Sequence, residues 1–294
     1  MKKSCLIGLT LLLALGAVFA QRYFRGGFGR GGYGGDYVDE STETPRDVPE
    51  HGRAEDGSLY RTPYWTNTPG FDKDVFTFVR IKRDRIPSTG GSWFTDTPDS
   101  DLNLAYRLQQ LTSIKVNPDG LFLRLTDKRL FDYPFIYMVE PGSLYLSDEE
   151  VAILRKYLLN GGFLWLDDFW GNAEWNNVEQ VFKRVFPNRS FVELPLSSPL
   201  YHCVFDIKAK NQIPGIDYWE RSGGDTSERG SESSVVHHRV ILDDKGRIMV
   251  FATHDTDNGD GWEREGASRV YFERFSEKTA YPLAINVIFY VMTH

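Results

Sequence analysis

Apolar residues along the middle of this chain fall into two alternating rhythms. Phe135 to Val139 form an unbroken apolar run, too short for a helix and rich in the aromatic and β-branched types that fill buried strands. Ser147-Asp148-Glu149-Glu150 then supplies a capping box, in which Ser147 caps a helix and Glu150 reaches back. Val151, Leu154, Leu158 and Leu159 recur at helical spacing, and Gly161 provides the stop. A second apolar run over residues 162–166 follows at once, and a further helix is expected near 178–185. Strand, helix, strand, helix in this order predicts a parallel sheet with right-handed crossovers.

Upstream, residues 75–81 have the β-branched and aromatic content of a strand. An acidic loop over 93–101 leads into a helix at 102–111, where Leu104, Leu108 and Leu111 share one face. Downstream, residues 235–242 and 247–253 flank the turn Asp243-Asp244-Lys245-Gly246 and predict a hairpin. Residues 281–292 read as a closing helix, too short to span a bilayer.

The first 70 residues lack such patterning. Lys2 and Lys3, an apolar stretch over 6–19 and the site Val18-Phe19-Ala20 read as an export signal cleaved after Ala20. Such a protein ends periplasmic or extracellular, with a retained membrane anchor as the alternative. Residues 22–37 are a Gly/Arg/aromatic tract with no apolar face, read as a disordered tether; comparable tracts bind single-stranded RNA, but three arginines favour a solvated spacer. Residues 38–70 continue the linker, with Tyr60, Tyr64 and Trp65 able to dock. The expected layout is signal 1–20, flexible linker 21–70 and folded domain 72–294.

Composition narrows the classes. The 294 residues are 41% hydrophobic and 14% aromatic, enough for a sizeable core, and the net charge of −7 argues against a general nucleic-acid binder. Signal removal leaves Cys203 alone, so no internal disulfide forms, and its apolar setting suits a small buried hydrophobe.

Two segments concentrate polar chemistry. The strand 162–166 ends on Asp167 and Asp168, where open α/β sheets bind ligands beyond the carboxyl ends of their strands. An extended chain would send these two side chains to opposite faces, so both address one ligand only if the backbone turns there. Gly171 and Asn172 are consistent with a turn. The second segment, His254 to Glu263, holds one imidazole, an indole and several carboxylates. Its glycine and terminal glutamate miss the EF-hand positions. No zinc-ligand spacing and no phosphate-binding glycine loop occurs.

The combination Phe78-Val79-Arg80, Trp93 with Asp96, Phe131 to Tyr137, Leu146 to Glu150, Gly161 to Leu164, Asp167-Asp168, His202 and Asp257 to Glu263 resembles the bacterial domain-of-unknown-function 4159 family over about residues 72–294. The resemblance implies a flavodoxin-like three-layer sandwich with a mostly parallel sheet, similar to class I glutamine amidotransferases. It implies no activity. A glutaminase needs a thiol on a strand-to-helix turn, and the equivalent Val139-Glu140-Pro141-Gly142-Ser143 has no cysteine. Ser143 lacks the small-residue context of a nucleophile elbow.

The leading expectation is a non-catalytic ligand-binding or interaction domain with a polar cleft of Trp93, Asp96, Asp167, Asp168, His202, Asp257, Asp260 and Trp262. Indoles beside carboxylates suit carbohydrate. One alternative is a hydrolase drawing its catalytic groups from Asp167, Asp168, His202 and His254; another is an envelope scaffold. No cofactor is expected, a loose divalent-cation site in 254–263 being the weaker alternative. The partner is expected to be a small polar ligand or an envelope protein, with neither nucleic acid nor a membrane span in the mature chain.

Overall fold

The computed structural model describes residues 41–70, 74–84 and 92–294. The expected export signal and the Gly/Arg tract lie outside the described residues, and no helix among those described is long and apolar enough to cross a membrane.

The strands are β1 (Val79–Lys82), β2 (Leu121–Arg124), β3 (Phe135–Val139), β4 (Phe163–Phe169), β5 (Val192–Glu193), β6 (His237–Leu242) and β7 (Ile248–His254). They form a single seven-stranded sheet in the order β2-β1-β3-β4-β7-β6-β5. The run β2-β1-β3-β4-β7 is parallel, and β6 and β5 extend it antiparallel. The expected hairpin is β6–β7. Strands β2 and β5 carry no apolar alternation long enough to predict them: β2 has four residues and β5 two.

The helices are α1 (Asp99–Leu111), α2 (Asp148–Leu159), α3 (Gly171–Val185), α4 (Ile216–Arg221), α5 (Asn258–Glu263), α6 (Arg269–Tyr271) and α7 (Tyr281–Thr293), with a π-helical stretch, Phe272–Ala280, leading into α7. The predicted capping box is present: the Glu150 amide donates to Ser147 Oγ, and the Ser147 amide donates to the Glu150 carboxylate. Gly161 follows the helix at φ +104°, a conformation costly for any other residue.

Alternation in the strands builds two cores. Phe135, Tyr137, Phe163, Trp165 and Phe251 face α1, α5 and α7, while Ile136, Met138, Leu164, Leu166 and Val250 face α2 and α3. Helices on both faces of one sheet give the expected three layers.

Residues 43–67 correct the linker expectation, because this stretch is fastened to the domain. The Phe122 amide donates to the Glu43 carbonyl at 2.7 Å, and the amides of His51 and Gly52 donate to Asp99 at 2.9 Å each. Val48 packs with Trp93 and Phe122, and Trp65 Nε1 donates to the Val116 carbonyl at 3.0 Å. Isolated anchors and backbone hydrogen bonds leave no periodic signature.

Candidate functional site

Only four described residues other than glycine adopt a left-handed backbone: Asp96 (φ 65°), Glu140 (φ 48°), Asp168 (φ 55°) and Asp255 (φ 63°). All four are acidic, and all four sit at the end of the sheet where the parallel strands finish. Asp96 is on the β1–α1 connection, Glu140 follows β3, Asp168 lies at the end of β4, and Asp255 follows β7. A left-handed conformation costs about 1–2 kcal/mol for an L-residue. Strain gathered at one edge is a mark of function.

At Asp168 the backbone makes the turn that two adjacent carboxylates require. The pairing of β4 with β7 shifts register between Leu166 and Phe169, and Phe169 rejoins the core facing α2 and α3. Asp167 and Asp168 thereby both reach the first turn of α5, with different roles. Asp167 is saturated: Thr253 Oγ1 (2.6 Å) and Asn258 Nδ2 (2.8 Å) donate to Oδ1, and the Tyr137 hydroxyl (2.9 Å) and Gly259 amide (3.1 Å) donate to Oδ2. Burial raises its pKa to about 6, against those side-chain hydrogen bonds. With every acceptor direction occupied, it organises the site and has no lone pair for a substrate.

Asp168 belongs to a carboxylate cluster. One oxygen each from Asp96, Asp168 and Asp257 lie within 4.8 Å of one another, as do oxygens from Asp96, Asp260 and Glu263. Asp257 accepts the Asp260 amide at 2.8 Å as the N-cap of α5, and Asp260 accepts the Ile216 amide. Arg264 pairs with Glu263 at 2.7 Å and Asp260 at 3.4 Å. Asp96 makes no side-chain hydrogen bond among the described residues, and its Oδ2 is buried. That oxygen lies 2.4 Å from where a Cβ on Gly259 would stand, so the glycine makes room for it.

The Asp96 carboxylate is positioned from below by a buried ion pair. Arg80 donates to Asp101 through Nε and Nη2, to Ser100 Oγ, and through Nη1 to the carbonyls of Trp93 (3.2 Å) and Thr95 (2.9 Å). Those carbonyls fix the loop that delivers Asp96.

Such crowding cannot remain fully ionised. Burial, reinforced by Asp260 and Asp168, pushes Asp96 well above the usual carboxylate range. Burial with Asp168 and Asp96 does the same for Asp257. Burial also raises Glu263, against the pull of Arg264. The cluster must hold protons or a cation. Oxygens bound to one calcium at 2.3–2.6 Å are at most roughly 5 Å apart, and both trios meet that limit.

The remaining expected residues go elsewhere. His202 is committed to Asp206 (2.7 Å) and the Leu196 carbonyl (2.8 Å), so it makes no bond to the cluster. His254 is buried against Phe169 and Trp175, held by Arg239 (3.0 Å) and the Gly171 carbonyl (3.1 Å). Burial lowers its pKa to about 3, so it is neutral and structural. Trp262 is fully buried against Tyr137 and Trp165, and Trp93 packs under Lys82 against Phe94 and Phe122. Neither indole offers an open face for a sugar. Glu263, read from the sequence only as part of the segment 254–263, completes the cluster together with Arg264, which was not singled out. The Asp260/Arg264 spacing of four, which places opposite charges on one helical face, was its signal.

The β2-β1-β3-β4-β7 order and the acid-lined strand ends define a flavodoxin-like α/β domain. The family model described as domain of unknown function (DUF4159) matches residues 77–292, and the chain belongs to that family. No curated protein matches it.

Proposed function

We propose that the domain is a ligand-binding module of an exported protein, and that its ligand is cationic, seated among Asp96, Asp168 and Asp257. A divalent metal ion is the smallest ligand of that kind. The supporting observation is the convergence of two overlapping carboxylate trios on Asp96, whose buried Oδ2 has no hydrogen-bond partner among the described residues. Hard oxygen donors in such a set suit calcium, magnesium or manganese. The carbohydrate reading loses its aromatic platforms in Trp93 and Trp262. A hydrolase with a histidine partner loses both His202 and His254 to other bonds.

The test is thermal unfolding of the protein after EDTA treatment, against calcium, magnesium, manganese, a polyamine and neutral sugars. A ligand at about 100 times its Kd adds about 2.7 kcal/mol. Stabilisation by one or more cations, absent in Asp168→Asn, is the expected result. A flat response to every cation and amine, or stabilisation by sugars alone, would overturn the proposal.

A further inference from the structure

Arg83 directly follows β1 and is 5% exposed. Its Nη2 donates to the carbonyls of Val139 (3.1 Å) and Glu140 (2.6 Å), the last residue of β3 and the turn residue after it. Its Nε is buried with no partner, and it has no carboxylate partner among the described residues. Arg80, the buried arginine within β1, shows the contrast: it is paired with Asp101 and all its nitrogens are bonded. Burial lowers the Arg83 pKa only to about 10, so it stays a cation at neutral pH.

The position is as informative as the missing counter-charge. From β1 the chain crosses through α1 to β2 on one side, and from β3 it crosses through α2 to β4 on the other. The carboxyl ends of β1 and β3 are therefore the topological switch point, where doubly wound sheets form their binding crevice. Arg83 bridges the two strands there. Its two carbonyl bonds occupy Nη2 and fix the plane of the guanidinium, leaving Nε and Nη1 as the donors for an oxyanion. A buried guanidinium without an anion is costly, and among the described residues Arg80 has its carboxylate partner while Arg83 has none.

We propose that Arg83 is the receptor for an oxyanionic group, carboxylate or phosphate, at the β1/β3 switch point. This is independent of cation binding at the carboxylate cluster. It gives the domain a second ligand chemistry of opposite sign.

The experiment follows the arginine side-chain Nε–H resonances of the 15N-labelled protein, with the Arg83 signal assigned by its loss in Arg83→Lys. Inorganic phosphate, acetate and succinate are titrated at ionic strength matched with sodium chloride. A saturable shift of the Arg83 signal is expected, with phosphate and the carboxylates distinguished by which saturates at lower concentration. Affinity should fall at least tenfold in Arg83→Lys, which keeps the charge but loses the planar N–H donors, and should be unchanged in His202→Ala, whose imidazole is engaged elsewhere. An Arg83 signal that moves with none of the three anions, or moves equally with chloride, overturns the inference. So does unchanged phosphate and carboxylate affinity in Arg83→Lys.

Discussion

Asp101→Asn removes one charge from the fully buried Arg80–Asp101 pair while keeping the shape of the side chain. In the native domain, burial pushes the Asp101 carboxyl up, while the charge and hydrogen bonds of Arg80 pull it down. In the variant, Arg80 Nε, which donates to both Asp101 oxygens at 3.1 and 2.9 Å, must confront an amide NH2 or lose one contact. The guanidinium is left buried without its counter-ion. Breaking a buried pair in this way costs about 3–5 kcal/mol. For a domain of this size each kcal/mol is worth about 2–4 °C, so melting should fall by roughly 6–20 °C. Urea unfolding followed by tryptophan fluorescence reads the loss. The double variant Arg80→Met/Asp101→Leu should recover most of it, since apolar replacement of a buried pair is often neutral. A loss in Asp101→Asn below about 1 kcal/mol, the range of an exposed pair, would refute the reasoning.

Three further outcomes follow from the same geometry. Gly259→Ala would bring a Cβ to within 2.4 Å of the present Asp96 Oδ2, so calorimetric cation affinity should fall at least tenfold as that carboxylate moves aside. In EDTA the protein should lose stability as pH rises from about 4 to 6: Asp167 titrates near 6 folded and near 3.8 unfolded, so in that window the unfolded chain holds fewer protons. Asp167 alone contributes about 3 kcal/mol to that decline, Asp96 and Asp257 extend it upward, and a melting temperature that rises across this range would contradict the assignment. His202→Ala should leave cation affinity unchanged, because both imidazole nitrogens are engaged outside the cluster; a tenfold loss would place it in the site.

Periodicity made the centre of the fold legible. Apolar runs marked β3 and β4, and the Ser147/Glu150 box marked the start of α2, because those signals are local and arise from burial on both faces. Strand β2 and the docked stretch 43–67 were hidden, since few residues anchor them and their bonds run backbone to backbone. Among site residues, Asp168 and Asp257 were visible as acids at strand ends. Separating Asp167 from Asp168 required the left-handed turn, which one sequence does not announce for an aspartate. Trp93, Trp262 and His254 misled for one reason: aromatic and imidazole groups near acids serve the core as readily as a cleft, and only burial tells them apart.

Isothermal titration of calcium and manganese into EDTA-stripped protein, in parallel with Asp168→Asn, addresses the carboxylate cluster directly. Saturable binding of about one ion with a Kd below about 1 mM, weakened at least tenfold in the variant, is the predicted result. No saturable heat with either ion, or equal affinity in the variant, would contradict a cation seated among Asp96, Asp168 and Asp257.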